Sequence, residues 1–387
     1  MEPWLAPARE DLRWVHREPD PVAFGHRRAE AVLAGDAGIT VLGSAAPPGG
    51  AECALLIRLT GAGEVVDERR YPAALGTGRA MAALPDGFVV AGEVPDGELA
   101  YRACLIRLDA RAEVTGRGVF GPAGVTGFDA VTRLVDGSVL AAGTSGGPEP
   151  AAGGTHGWLV CVPDADRTGW ETELTDVDGI RAVAVPAGGG FVAAAHTQTS
   201  TTSLGRARLI GFADDRSVRW RLPLPHTGHG ELTGLAALPH SGVVAVGHRT
   251  ADGPDPAGLW VVRVDSAGAL VWERQFGTGD GERRGRAVVA LGGDGVAVAG
   301  EVLRGTRRTV VVARLTADGT PVWEREYGEE RAYDLVGGLA GAADGGLVVA
   351  GSTAPVPEAA GPARASAIRV FRLDPDGTPV WHRLLTG

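Results

Sequence analysis

The chain has 387 residues, 44% of them apolar, with 60 glycines, 25 prolines and a net charge of −10. That charge argues against broad binding to nucleic acid or anionic membranes, which needs phosphate neutralisation. No apolar run approaches the ~20 residues of a membrane span. The 37 basic residues are all arginine, and Cys53, Cys104 and Cys161 lack any framework spacing, so free thiols in a reducing compartment are expected.

The N-terminus, MEPWLAPAREDLRWVHREPD, shows no basic stretch followed by an apolar one, so no signal peptide is expected and the localisation reads as cytoplasmic. Within it DLRWVHRE, with Trp14, reads as a strand ahead of the repeats. From there the chain falls into seven copies of a unit about fifty residues long. The marker is a turn between two apolar runs, at Asp36, Asp86, Asp136, Gly188, Ser241, Asp294 and Asp344.

The sixth copy shows the unit clearly. Arg286 to Leu291 is a first strand, Val296 to Val302 a second, Thr309 to Leu315 a third and Pro321 to Gly328 a fourth. Each run is short, rich in Val, Leu and Ala, and bounded by Gly or Asp, which fits strands and not helices. Four antiparallel strands repeated radially make propeller blades. The expected fold is therefore an all-β, seven-bladed β-propeller of four-stranded antiparallel blades in a single domain spanning 1–387. The blades fall at about 26–72, 77–121, 126–174, 178–224, 230–277, 284–328 and 334–387, and residues 1–20 supply a closing strand on the last blade, beside or in place of the C-terminal one.

Two columns recur along the copies. Third strands carry Arg58, Arg107, Arg263, Arg314 and Arg372, with Cys161 and Gly211 as exceptions. Fourth strands carry Trp170, Trp220, Trp272, Trp323 and Trp381, with Asp67 and Gly116 as exceptions. A Trp ladder can be a stacking platform, but the same place in every copy reads first as packing between blades. The stretches DGGLVVAG (Asp344 to Gly351), LWVVRVD (Leu259 to Asp265) and WERQFG (Trp272 to Gly277) resemble bacterial β-propeller repeats of the form DGG-[YF]-[IV]-V-A-G, W-L-x-[KR]-[LV]-D-x-x-G and W-x-[KR]-x-[YF]-G. Copies three and four depart from it most. The resemblance implies a propeller and carries no reaction, because fold does not fix function.

The connections after second and fourth strands vary in every copy and should share one face, where binding residues are expected. The loop-side ends of the first strands carry Arg28, Arg79, Asp129, Arg181, Thr233, Arg286 and Gly337, each followed by Ala or Gly. Arg28, Arg79, Asp129, Arg181 and Arg286 are the candidate ligand-binding residues, a local positive site for carboxylate, phosphate or enolate oxygens. The competing reading pairs each arginine with an acid to hold the ring. His226, His229, Glu231 and Tyr333 are the candidate catalytic residues for acid–base chemistry. His26, His196 and His248 also fall near loop-side strand ends. His226 and His229 with Glu231 lack the further ligands a zinc site needs, so no metal and no cofactor are expected.

Asp374-Pro-Asp376-Gly and Asp176-Val-Asp178-Gly are turn sequences without the later ligands of a calcium loop. No Walker loop, nucleophile elbow or dinucleotide fingerprint is present. Two functions follow. One is small-molecule binding in the loop-side funnel, of an anionic or enolisable ligand, with metal-free lyase, isomerase or cyclase chemistry. The alternative is a non-catalytic scaffold whose partner is a protein on the loop face. A monomer with no nucleic-acid or membrane partner is expected.

Overall fold

The computed structural model describes residues 26–46, 50–97, 100–146, 154–163, 169–197, 206–224, 230–240, 242–250, 257–277, 281–329, 332–355 and 366–386. They form 28 strands and two short 3-10 turns, with no α-helix among the described residues. The first sheet is β1 (His26–Gly35), β2 (Gly38–Ala46), β3 (Cys53–Leu59) and β4 (Val65–Arg70). The second is β5 (Thr77–Leu84), β6 (Gly87–Pro95), β7 (Tyr101–Asp109) and β8 (Val114–Gly124). The third is β9 (Gly127–Arg133), β10 (Val139–Gly146), β11 (Thr155–Val162) and β12 (Trp170–Leu174). The fourth is β13 (Gly179–Ala184), β14 (Phe191–Thr197), β15 (Arg206–Phe212) and β16 (Val218–Pro223). The fifth is β17 (Gly230–Ala237), β18 (Val243–Arg249), β19 (Gly258–Val264) and β20 (Leu270–Phe276).

The last eight strands are β21 (Glu282–Ala290), β22 (Val296–Arg304), β23 (Arg307–Leu315), β24 (Pro321–Tyr327), β25 (Ala332–Gly341), β26 (Leu347–Pro355), β27 (Ala367–Leu373) and β28 (Pro379–Leu385). They form one sheet. The expectation of seven separate blades is corrected here: five four-stranded blades stand alone, and one eight-stranded sheet completes the propeller. The reason is local. β23 begins as early as Arg307, and the link from β24 to β25 is short, so Arg308 and Tyr333 meet as a parallel pair. The Arg308 guanidinium lies 4.6 Å from the Tyr333 ring centre.

The sequence pattern explains the layering. Second and third strands are buried on both faces and read as unbroken apolar runs, as in VVAVGHR of β18, whereas the outer β4 is mostly solvated. The core lies between sheets. Val41, Leu55 and Ile57 of the first sheet share one apolar cluster with Val348, Ile368 and Trp381 of the last, which closes the ring. β28 pairs with β27 and holds the outermost place of the last sheet, so the C-terminal strand is not replaced there. The expected N-terminal closing strand, with Trp14, lies outside the described residues.

The Arg and Trp columns are cross-strand neighbours: Arg263 faces Trp272, Arg314 faces Trp323 and Arg372 faces Trp381. Both members of a pair reach a turn of the next four-stranded unit. Arg314 and the Trp323 indole N–H each donate to the Pro375 carbonyl at 2.9 Å. Trp381 and Arg372 do the same to Gly61, at 3.0 and 3.1 Å. Through these bonds Trp323 and Trp381 fasten neighbouring four-stranded units, as Trp272 does through the Ala317 carbonyl. Cys53, Cys104 and Cys161 are free thiols in three different sheets.

Candidate functional site

Every innermost strand carries one irregularity at its loop-side half. The pairing of β5 with β6 skips Arg79, that of β9 with β10 skips Asp129, and that of β13 with β14 skips Arg181. Thr233, Arg286 and Gly337 are skipped on β17, β21 and β25. On β1 the skipped residue is Glu30. Such bulges re-aim a side chain and are frequent beside functional sites. Here the seven bulged residues gather round one cavity of about 410 Å³ on the propeller axis.

This corrects the sequence alignment of the first copy by two residues. Arg28 lines the same cavity, but the ring position belongs to Glu30, and the small residue after it is Ala31, not Ala29. With that shift the next column reads Val32, Met81, Val131, Val183, Leu235, Val288 and Leu339, apolar throughout. Sequence reasoning missed Glu30 because an Arg-Ala pair at 28–29 imitates the ring motif.

A second polar layer sits behind the bulges on the second strands: Ser44, Glu93, Thr144, His196, His248, Glu301 and Ser352. Each directly follows the residue opposite the bulge. That residue is Gly in all copies but one, where it is Ala195. A Cβ on Gly92 would come within 1.8 Å of the Thr77 carbonyl oxygen, and one on Gly247 within 1.8 Å of the Glu231 carbonyl oxygen. The recurrent Ala-Gly or Val-Gly pair is thus the partner the bulge requires.

The second layer ties neighbouring four-stranded units together. The Ala29 N–H donates to Ser352 Oγ at 3.0 Å, and the Val336 N–H to Glu301 Oε1 at 3.1 Å; both N–H groups immediately precede a bulge in the adjoining inner strand. Thr233 donates its hydroxyl to the Gly285 carbonyl at 2.8 Å.

The ring arginines are all paired. Arg28 meets Glu30 at 3.1 Å and Arg79 meets Glu93 at 2.7 Å, each within one sheet. Arg181 bridges sheets, reaching Asp129 at 3.0 Å and Glu231 at 3.1 Å. Arg286 meets both oxygens of the buried Glu301 at 3.3 Å, and Arg308 meets the same carboxylate at 2.9 Å. The expected positive funnel is therefore nearly charge-balanced. Even so, the guanidiniums are the more exposed partners: the Arg181 side chain is 40% accessible against 21% for Asp129 and 24% for Glu231.

Burial and charge set the protonation pattern. Burial pushes Glu30 up to about 7, against the opposing pull of Arg28 and Arg79. Burial, and then the Arg181 charge, push His196 below its ordinary value. For Glu231, burial works upward, but Arg181, His248 and His196 together hold it below the usual carboxylate range.

The proposed catalytic group does not assemble among the described residues. Glu231 lines the cavity, paired with Arg181. Tyr333 lies against Arg308 and is not among the cavity-lining residues. His226 and His229 lie outside the described residues. Among the described residues, His196 and His248 are buried and lie within the field of Glu231. Among the described residues no group of three His, Cys, Asp or Glu side chains is placed to hold a metal. No helix among them is long and apolar enough to cross a membrane.

Inner strands converging on one axial mouth define a β-propeller. No family model and no curated protein matches the chain. It is similar in structure to a Mycobacterium tuberculosis puromycin-hydrolysing peptidase, with TM-score 0.57, 14% identity, 92% of this chain covered and 53% of that one. It is also similar to a Pyrococcus horikoshii acylaminoacyl peptidase, with TM-score 0.52, 11% identity, and 94% and 52% covered. The β-propeller domain of the trilobed protease from Pyrococcus furiosus, described as having an open velcro topology, aligns with TM-score 0.50 and 9% identity over 94% of this chain and 99% of that domain. The chain thus spans about half the length of the two peptidases, and at these identities the likeness carries the fold alone.

Proposed function

We propose that this propeller, of the bacterial repeat type its sequence resembles, binds a small molecule bearing an anionic group in its axial mouth. The observation that carries this reading is the ring of guanidiniums held in place by more buried carboxylates. Arginines fixed by such partners meet a ligand with little ordering cost, and their planar forks suit carboxylate or phosphate oxygens. The cavity, about 410 Å³, falls within the ordinary range for small-molecule sites. Binding is the function the geometry supports best: the carboxylates that line the cavity, Glu30, Asp129, Glu231 and Glu301, are each engaged by an arginine.

Native mass spectrometry of the purified protein, with calorimetric titration of phosphate and small carboxylates, tests this. The double variant Arg79→Gln/Arg286→Gln should weaken anion binding by about a hundredfold, roughly tenfold per charge-assisted contact. Unchanged affinity in a folded double variant would remove the site.

A second reading, the protein scaffold, rests on the outer rim. Val66, Val271, Val322 and Val380 occupy one column directly before the Asp67 or Trp position, and each is more than half exposed. If that row docks a partner, Val271→Asp/Val322→Asp should abolish the interaction and leave the axial titration unchanged.

A further inference from the structure

The charges around the axial mouth do not cancel locally. Towards β21, one carboxylate serves two guanidiniums: Glu301 holds both Arg286 and Arg308. No other described carboxylate pairs with Arg286, and its flanking ring positions, Thr233 and Gly337, bring no charge. Towards β13 the balance reverses. One guanidinium, Arg181, serves two carboxylates, Asp129 and Glu231. Arg181 is the arginine that both carboxylates share, and His248 and His196 also lie within the field of Glu231. One mouth therefore carries an anion-seeking side and a cation-seeking side.

From this division, and resting on the reading of the mouth as a small-anion site, we propose that the ligand is a zwitterion, with its carboxylate or phosphate on Arg286 and a protonated amine on Asp129 and Glu231. An anion alone satisfies the Arg286 side and leaves Asp129 and Glu231 sharing one guanidinium. A molecule with both groups completes both sides and needs no counter-ion. Fixed opposite charges in a recessed site favour such a ligand over either half, because each wrong half forfeits a charge-assisted contact.

The test uses the full chain and calorimetric titration with a panel of free amino acids, each beside its N-acetyl form (anion only) and its amide (cation only), plus inorganic phosphate. The expected result is that a free amino acid binds at least about tenfold more tightly than either counterpart, the scale of one charge-assisted contact. Arg286→Gln should then weaken the free and N-acetyl forms alike. Asp129→Asn and, separately, Glu231→Gln should weaken the free form and spare the N-acetyl form, with melting temperatures confirming that each variant is folded. N-acetyl forms or phosphate binding as tightly as free amino acids would overturn the zwitterion and leave the anion site standing. Amides binding best, or nothing on the panel binding at all, would overturn both.

Discussion

Glu30 enters the mouth from a bulge on β1, beside Arg28 and within the field of Arg79, Glu93 and Glu52. Its carboxyl is pushed up to about 7, mainly by burial. A folded value above the unfolded one means that the native state holds the proton longer. Its contribution to stability is then full below the unfolded value of 4.5 and is lost as pH rises through about 7. Glu30→Gln keeps the shape and removes that loss. At pH 8 it should raise stability by roughly 3 kcal/mol, and at pH 4.5 it should change little. Denaturant melts at the two pH values check this; equal effects at both would show that Glu30 titrates normally. The position itself was hidden in the sequence. Nothing in HRRAEAV marks which residue a bulge ejects, and Arg28 was the better match to the neighbouring copies.

The strand pattern was far more legible, because alternation of apolar runs with Gly and Asp turns is a local signal. The five separate blades follow from it directly. The merging of the last eight strands does not, since it depends on how far β23 and β25 overrun their ends to meet at Arg308 and Tyr333. The glycine before the second polar layer was visible as a motif but not as a mechanism; the structure shows it facing the carbonyl oxygen of an inner strand. Gly92→Ala should therefore cost about 2 kcal/mol, the scale of overpacking in a filled site. Ala195 already occupies the equivalent place in the fourth sheet, so Ala195→Gly should cost less. Chemical denaturation of both variants decides the point, and a harmless Gly92→Ala would mean that the bulge relaxes at no expense.

At the scale of the whole molecule, closure depends on the seam between the first sheet and the last. Among the described residues this seam carries only non-covalent links. The Arg27 N–H donates to the Ser366 carbonyl at 3.2 Å, Ala29 to Ser352 at 3.0 Å, and the Trp381 indole to Gly61 at 3.0 Å. Trp381 also packs flat against Gly63, where an added Cβ would lie 2.8 Å from the ring. Trp323 makes the same pair of contacts inside the eight-stranded sheet, with Pro375 and Gly377. There, however, the chain itself joins the two halves. Removing either indole should cost about 3 kcal/mol, the usual range for losing a packed aromatic ring. The consequences should differ in place. Trp381→Ala should speed amide exchange in β1 and β28 well before the rest of the ring opens, because among the described residues nothing covalent holds that seam. Trp323→Ala should leave the protection of β1 unchanged. Hydrogen exchange resolved by strand reads both, and equal loosening of β1 in the two variants would mean that the ring opens as a single cooperative unit with no weakest seam.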